Sequence, residues 1–159
     1  MGLKPYQEKI IQQMIDQERL LSKIYALFAE KFPQYIEFWM ELSREEEHHA
    51  VLIEKLREAE KKGLVFFDEG KTRTYTLTVF ITYLEDQYQR ALQKECGIAS
   101  AFSCALDLEQ ALIEKEAFSR FDSLNEKTSD VMNKLKFETK KHIEKIRLKR
   151  KEIADITQR

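Results

Sequence analysis

Glycine and proline are almost missing from this chain: four and two residues among 159. With so few breakers, the backbone has few places to turn, and long helices are the economical solution. The breakers also stand where they can punctuate such helices. Pro5 suits a first helical turn, Pro33 opens a second helix, and Gly63 supplies a stop. We therefore expect helix one over residues 5–30, helix two over 33–62, helix three over 98–124 and helix four over 129–156. Between helices two and three lies a long connection, residues 63–96, with a turn at DEGK and a segment TLTVFITYLEDQYQRALQKE whose second half is helical in pattern. The expected fold class is all-α: two antiparallel helix pairs joined by a long crossover that holds an extra short helix, the four long helices sharing one core. At this length the chain makes one domain, residues 1–159.

Placing residues 100° apart around each helix asks which polar groups fall on the apolar stripe. In helix two, Tyr35, Trp39, Leu42, Ile53 and Leu56 define the stripe, with Glu46 and His49 near its centre. The overlapping motif SREEEHHA is thereby split: Glu45 sits at the border, whereas Glu47 and His48 point to solvent. In helix one, Glu18 lies among Ile11, Met14, Ile15, Leu21, Tyr25, Phe28 and Ala29. In helix three, Glu114 is centred among Ala111, Ala117, Phe118, Phe121 and Leu124, while Glu109 falls on another face and reads as the less favoured inward acid. In helix four, His142 is centred among Val131, Leu135, Ile146 and Ile153, flanked by Glu138 and Thr139.

An unpaired carboxylate is too costly to bury often, so each such group has to be neutralised, hydrogen-bonded or bound to a cation. Here every long helix turns at least one ionisable group inward: Glu18, Glu46 with His49, Glu114 and His142. Carboxylate oxygens with imidazole nitrogens suit iron, manganese or zinc, and one carboxylate can bridge two ions. Glu-x-x-His places two ligands on one helix face, one turn apart. The two helix pairs also resemble each other. ERLLSKIYALF, from Glu18 to Tyr25, can be laid on EKEAFSRFDSL, from Glu114 to Phe121. Glu45-Glu46-x-x-His49 likewise meets Glu138-Thr139-x-x-His142.

Through that order of residues the chain resembles the ferritin-like superfamily, and within it the rubrerythrin-type diiron proteins, over nearly its whole length. The resemblance implies a four-helix bundle whose helices one and three give terminal or bridging glutamates, and whose Glu-x-x-His motifs each give a bridging glutamate and a terminal histidine. Carried over, the metal ligands are Glu18, Glu46, His49, Glu114 and His142, with Glu138 as a further candidate. Two iron ions would react with oxygen or hydrogen peroxide, as in a ferroxidase or peroxidase, with manganese or zinc as other occupants. Tyr25, beside Glu18, would be the catalytic side chain that orients a ligand or supplies a proton, set against plain core packing. Two departures stand out. The family's fourth-helix glutamate falls on Thr139, a poor replacement for an anionic bridge. The chain also carries no C-x-x-C pair of a rubredoxin-like domain, so a peroxidase would need an external electron donor.

Three further expectations concern partners and place. Acidic and basic residues nearly balance at a net charge of -1, and no aromatic residues interleave the basic stretch KKHIEKIRLKRK, so neither nucleic acid nor an anionic membrane is the expected partner. No window approaches the ~18 apolar residues of a membrane span and no apolar leader opens the chain, so a cytoplasmic protein is expected. Cys96 and Cys104 read as small core residues rather than a disulfide or metal pair, and FWMEL and TVFITYL offer apolar surface for a homodimer. The competing reading is a ferritin-like structural or binding module with a degenerate or mononuclear site.

Overall fold

A computed structural model describes residues 2–69, 73–93, 96–115, 121–123 and 126–157. The described residues form a helical bundle. Helix α1 spans Pro5–Lys31 and α2 spans Ile36–Lys61, separated by a single 3-10 turn at Pro33–Tyr35. After a short strand β1, Val65–Phe67, come α3, Thr74–Leu92, and α4, Ile98–Lys115. Strand β2, Phe121–Ser123, leads to the long α5, Glu126–Thr157.

The punctuation acts as the sequence suggests. Pro5 opens α1 at a position where its missing N–H is no loss. Pro33 opens the 3-10 turn rather than α2 itself. Gly63 adopts φ +72°, and the two hydrogen bonds Gly63 N–H to Glu60 O and Leu64 N–H to Ala59 O close α2 in a Schellman motif. A side chain at that φ would be strained, which is why glycine ends this helix.

Two boundaries and one side-chain placement depart from expectation. Helix α4 ends at Lys115 instead of running to residue 124, because Phe121–Ser123 pairs antiparallel with β1 in the register Val65 with Ser123 and Phe67 with Phe121. Glu60, buried at the end of α2, anchors this ribbon by accepting the Phe67 N–H at 3.0 Å. Second, the β-branched start of α3 is helical throughout, so the extra helix runs 19 residues from Thr74. Its buried residues Leu77, Phe80 and Leu84 recur at helical spacing and cover α1, and burial on that neighbour outweighs the strand preference of threonine and valine. Third, Cys96 and Cys104 are half-buried free thiols that pack against the edge of the apolar core and line one surface cavity, rather than sitting fully inside it.

Helices α1 and α2 pack along their length, α4 packs on α5, and α2 also meets α5. Ser22 and Ser43 fasten the first pair reciprocally, each hydroxyl donating to the other's carbonyl at 2.8 Å. The core falls into two apolar clusters. One holds Leu21, Tyr25, Phe28, Trp39, Leu42, Phe102, Ala105 and Ile146; the other holds Ile11, Met14, Ile15, Ile53, Leu56, Val65 and Leu135. Along α1 the chain passes from the second cluster to the first across Glu18, and along α5 across Thr139 and His142. Along α2 it passes the opposite way across Glu46 and His49. A belt of polar side chains therefore divides the core.

Candidate metal centre

Glu18, Glu46, His49, Glu109 and His142 meet in that belt, each at most 1% exposed. Their arrangement follows from helix periodicity. Glu46 and His49 lie one turn apart on α2, and both continue the stripe of Trp39, Leu42 and Ile53, so burying the stripe buries them. Glu18 continues Ile11, Met14, Ile15, Leu21 and Tyr25 on α1. His142 lies between Leu135 and Ile146 on α5. Glu47 and His48 face solvent as the wheel expects.

The two imidazole rings stack, centroids 5.2 Å apart and planes 21° from parallel. Around them the contacts repeat with near two-fold symmetry. His49 Nδ1 is 3.2 Å from Glu46 Oε2 and 3.9 Å from Glu18 Oε2. His142 Nδ1 is 2.7 Å from Glu46 Oε1 and 3.4 Å from Glu109 Oε1. The outer nitrogens cross over: His49 Nε2 is 2.8 Å from Glu138 Oε2 on α5, and His142 Nε2 is 2.7 Å from Glu45 Oε2 on α2. Glu18 thus corresponds to Glu109, Glu45 to Glu138, His49 to His142, and Glu46 to Thr139.

Thr139 breaks the symmetry. It is buried, and its hydroxyl donates to the Leu135 carbonyl of its own helix at 2.9 Å. Among the described residues Glu46 alone spans the pair, dividing its two oxygens between the two inner nitrogens.

Glu109 is the residue that the helical wheel misplaced. It is fully buried in the cluster and accepts a hydrogen bond from the Tyr25 hydroxyl at 2.7 Å. The wheel for helix three was centred on residues beyond Lys115, where α4 has ended. The actual stripe, Ala101, Phe102, Ala105, Leu106 and Leu108, carries Glu109 at its end. Centring on the residues before Lys115 would have found it. The side chain of Glu114 lies outside the described residues. Glu138 reaches the outer face of His49 with no adjustment of α5, and remains a quarter exposed. Tyr25 is buried against Trp39 at a ring separation of 5.9 Å, and its bond goes to Glu109.

The electrostatics are those of charges packed together without water. Burial, with the Glu46 carboxylate second, pushes Glu18 well above the usual carboxylate range. The same causes push Glu109 up to about 7. Burial opposes ionisation of Glu46 as well, but the two histidines outweigh it and hold that carboxyl well below its ordinary value. Burial likewise works against the His142 cation, yet Glu109, Glu45 and Glu46 together push it up to about 12. His49 is also raised, Glu46 and Glu138 overcoming its burial.

Some of these groups are hydrogen-bonded to one another, but several of their donor atoms are left over and could hold a metal. Both oxygens of Glu18, Glu46 Oε1, Glu109 Oε2 and both ring nitrogens of His142 have no aligned hydrogen-bond partner, although carboxylates stand 2.7 Å from each His142 nitrogen. Donor atoms that crowd together without pointing at each other are arranged around points between them. One donor atom each from Glu46, His49 and His142 lie within 4.8 Å of one another, a spacing that could hold a metal ion. The outer carboxylates favour the same use: a His49 ring whose Nε2–H is donated to Glu138 keeps its Nδ1 lone pair for the interior, and Glu45 stands at the matching place 2.7 Å from His142 Nε2.

No family model matches the chain, and no curated protein or solved structure matches it. No helix among the described residues is long and apolar enough to cross a membrane.

Proposed function

We propose that this chain is a ferritin-like, non-haem dinuclear metal protein that takes two iron ions and reacts with oxygen or hydrogen peroxide, as a ferroxidase or a peroxidase. The observation that carries the reading is Glu46, whose two oxygens are shared between the inner nitrogens of two stacked histidines. A buried carboxylate in that posture could be shared by two ions. Glu18 and His49 would complete the donors of one ion, Glu109 and His142 those of the other. Manganese or zinc suits the same donor set. The order of donors along the chain, one acid on α1, Glu-x-x-His on α2, an acid on α4 and a histidine on α5, supports the ferritin-like assignment.

Bound ferrous ions would supply electrons and Lewis acidity to an O–O bond. The residues around them hold, orient and protect. Glu138 and Glu45 fix the two rings from outside. Phe28 and Trp39 pack on Tyr25, Phe102 packs on Trp39, and together they keep that side of the belt dry. Burial, then Glu109, keeps the Tyr25 phenol protonated well above its usual range, and its hydrogen bond to Glu109 Oε1 is the path along which that proton can move. Because the sequence has no C-x-x-C pair, a peroxidase cycle would draw electrons from a separate donor.

Anaerobic titration with ferrous iron tests the reading. Two irons per chain are expected, with an absorbance change when oxygen or peroxide is admitted; the faster oxidant distinguishes ferroxidase from peroxidase. Fewer than one iron per chain, unaltered by His49→Ala, would leave the structural module, in which the crossed Glu45–His142 and Glu138–His49 pairs merely tie α2 to α5.

A further inference from the structure

Thr139 stands where the near two-fold symmetry of the site requires the counterpart of Glu46. The equivalence rests on two crossed contacts in the structure, Glu45 to His142 and Glu138 to His49, which flank position 139 as they flank position 46. Its side chain cannot act as a ligand in this arrangement: it ends at the γ position, and its hydroxyl is committed to the Leu135 carbonyl. The charges disagree in the same direction. Two divalent ions would bring four positive charges against the three carboxylates of Glu18, Glu46 and Glu109, all buried. Glu45 and Glu138 stand outside that buried set: both side chains are partly exposed, Glu138 facing Lys134 at 3.8 Å and Glu45 sharing Lys145 with Glu41 at 3.0 and 2.9 Å. A buried, uncompensated positive charge is costly.

We propose that the metal-loaded centre binds one small carboxylate anion on the Thr139 side, which bridges where a second glutamate would have done. The inference rests on the dinuclear reading and narrows it: the substrate or co-ligand of this site carries a carboxylate that enters as an intact anion and exchanges with water. Glu138, adjacent to Thr139 on α5, has a quarter of its side chain in solvent, so this flank of the belt lies near the surface.

Cobalt(II) as the ion and acetate as the anion provide a test that needs no turnover. Cobalt is counted first, then acetate is titrated into the loaded protein while the visible cobalt spectrum is followed. Two cobalt ions per chain and a saturable spectral change with one acetate are expected. Thr139→Glu should keep both cobalt ions and weaken the acetate response at least tenfold, its own carboxylate taking the place. Thr139→Val, which removes only the hydroxyl, should retain the response. Two bound ions with no acetate response in the native chain, or an undiminished response in Thr139→Glu, would overturn the anion site while sparing the metal centre. Fewer than two cobalt ions in the native chain would overturn the centre and the anion site together.

Discussion

Glu138 and Glu45 stand against the outer nitrogens of the two histidines at 2.8 and 2.7 Å, and in the proposed centre they would fix a tautomer rather than bind a metal themselves. Outer partners of this kind are worth roughly 10–100-fold in metal affinity. Glu138→Ala should therefore weaken binding by about that factor, measured by competition with a chelating dye, while leaving the number of ions unchanged. A lost ion would instead make Glu138 a direct ligand. Tyr25 acts from the other side. Tyr25→Phe keeps the ring against Trp39 but leaves the buried Glu109 oxygen without its donor, at a cost of about 1–3 kcal/mol in unfolding free energy. A change below about 0.5 kcal/mol in the metal-free protein would show that Glu109 finds another donor. At this scale the sequence was informative for one reason: an ionisable group on an apolar stripe is conspicuous. Glu18, Glu46, His49 and His142 were visible that way. The role of Glu138 was not, since it depends on how far α5 is turned toward α2, and a single helix does not encode that angle.

Element boundaries were legible where a special backbone geometry demanded a special residue, and opaque where pairing decided. Pro5 and Gly63 mark their helix ends because ring closure and positive φ are local constraints. Gly63→Ala meets no neighbour within 4 Å, so its cost is the left-handed backbone alone, about 1 kcal/mol, read from the shift of a denaturant midpoint. A neutral result would mean that α2 can end without the Schellman turn. The end of α4 at Lys115 had no comparable mark. Residues 121–123 leave the helical pattern because β1, some 56 residues earlier, offers a strand edge, and that partnership is non-local. One misjudged boundary moved the centre of the helical wheel, and the wheel then selected Glu114 over Glu109.

On the scale of the whole molecule, the polar belt makes stability depend on protons, and a metal bound there would be coupled to them. In the metal-free protein Glu109 titrates near 7 when folded, above its ordinary value of 4.5, and Glu18 is raised as well. Groups raised on folding bind more protons in the folded state, so their contribution is present at low pH and is lost as pH rises from about 4.5 through 7. His142, raised from 6.5 to about 12, and the raised His49 extend that loss across neutral and alkaline pH. Glu45, lowered to about 2, acts oppositely, and its stabilisation disappears as pH falls from 4.5 toward 2. The metal-free protein should therefore melt at a higher temperature at pH 5 than at pH 8. Metal reverses the slope, because ions bind the deprotonated carboxylates and imidazoles and displace their protons. With free metal at about 1,000 times its dissociation constant, binding adds roughly 4 kcal/mol, and this gain should grow from pH 5 to pH 8. Melting curves at both pH values, with chelator and with manganese or zinc to avoid oxidation, measure the two slopes directly. If both slopes have the same sign, the belt is an ion-pair network whose histidines keep their protons. Opposite slopes mark the deprotonated belt as the metal-binding state, because only a bound cation can make it the more stable one.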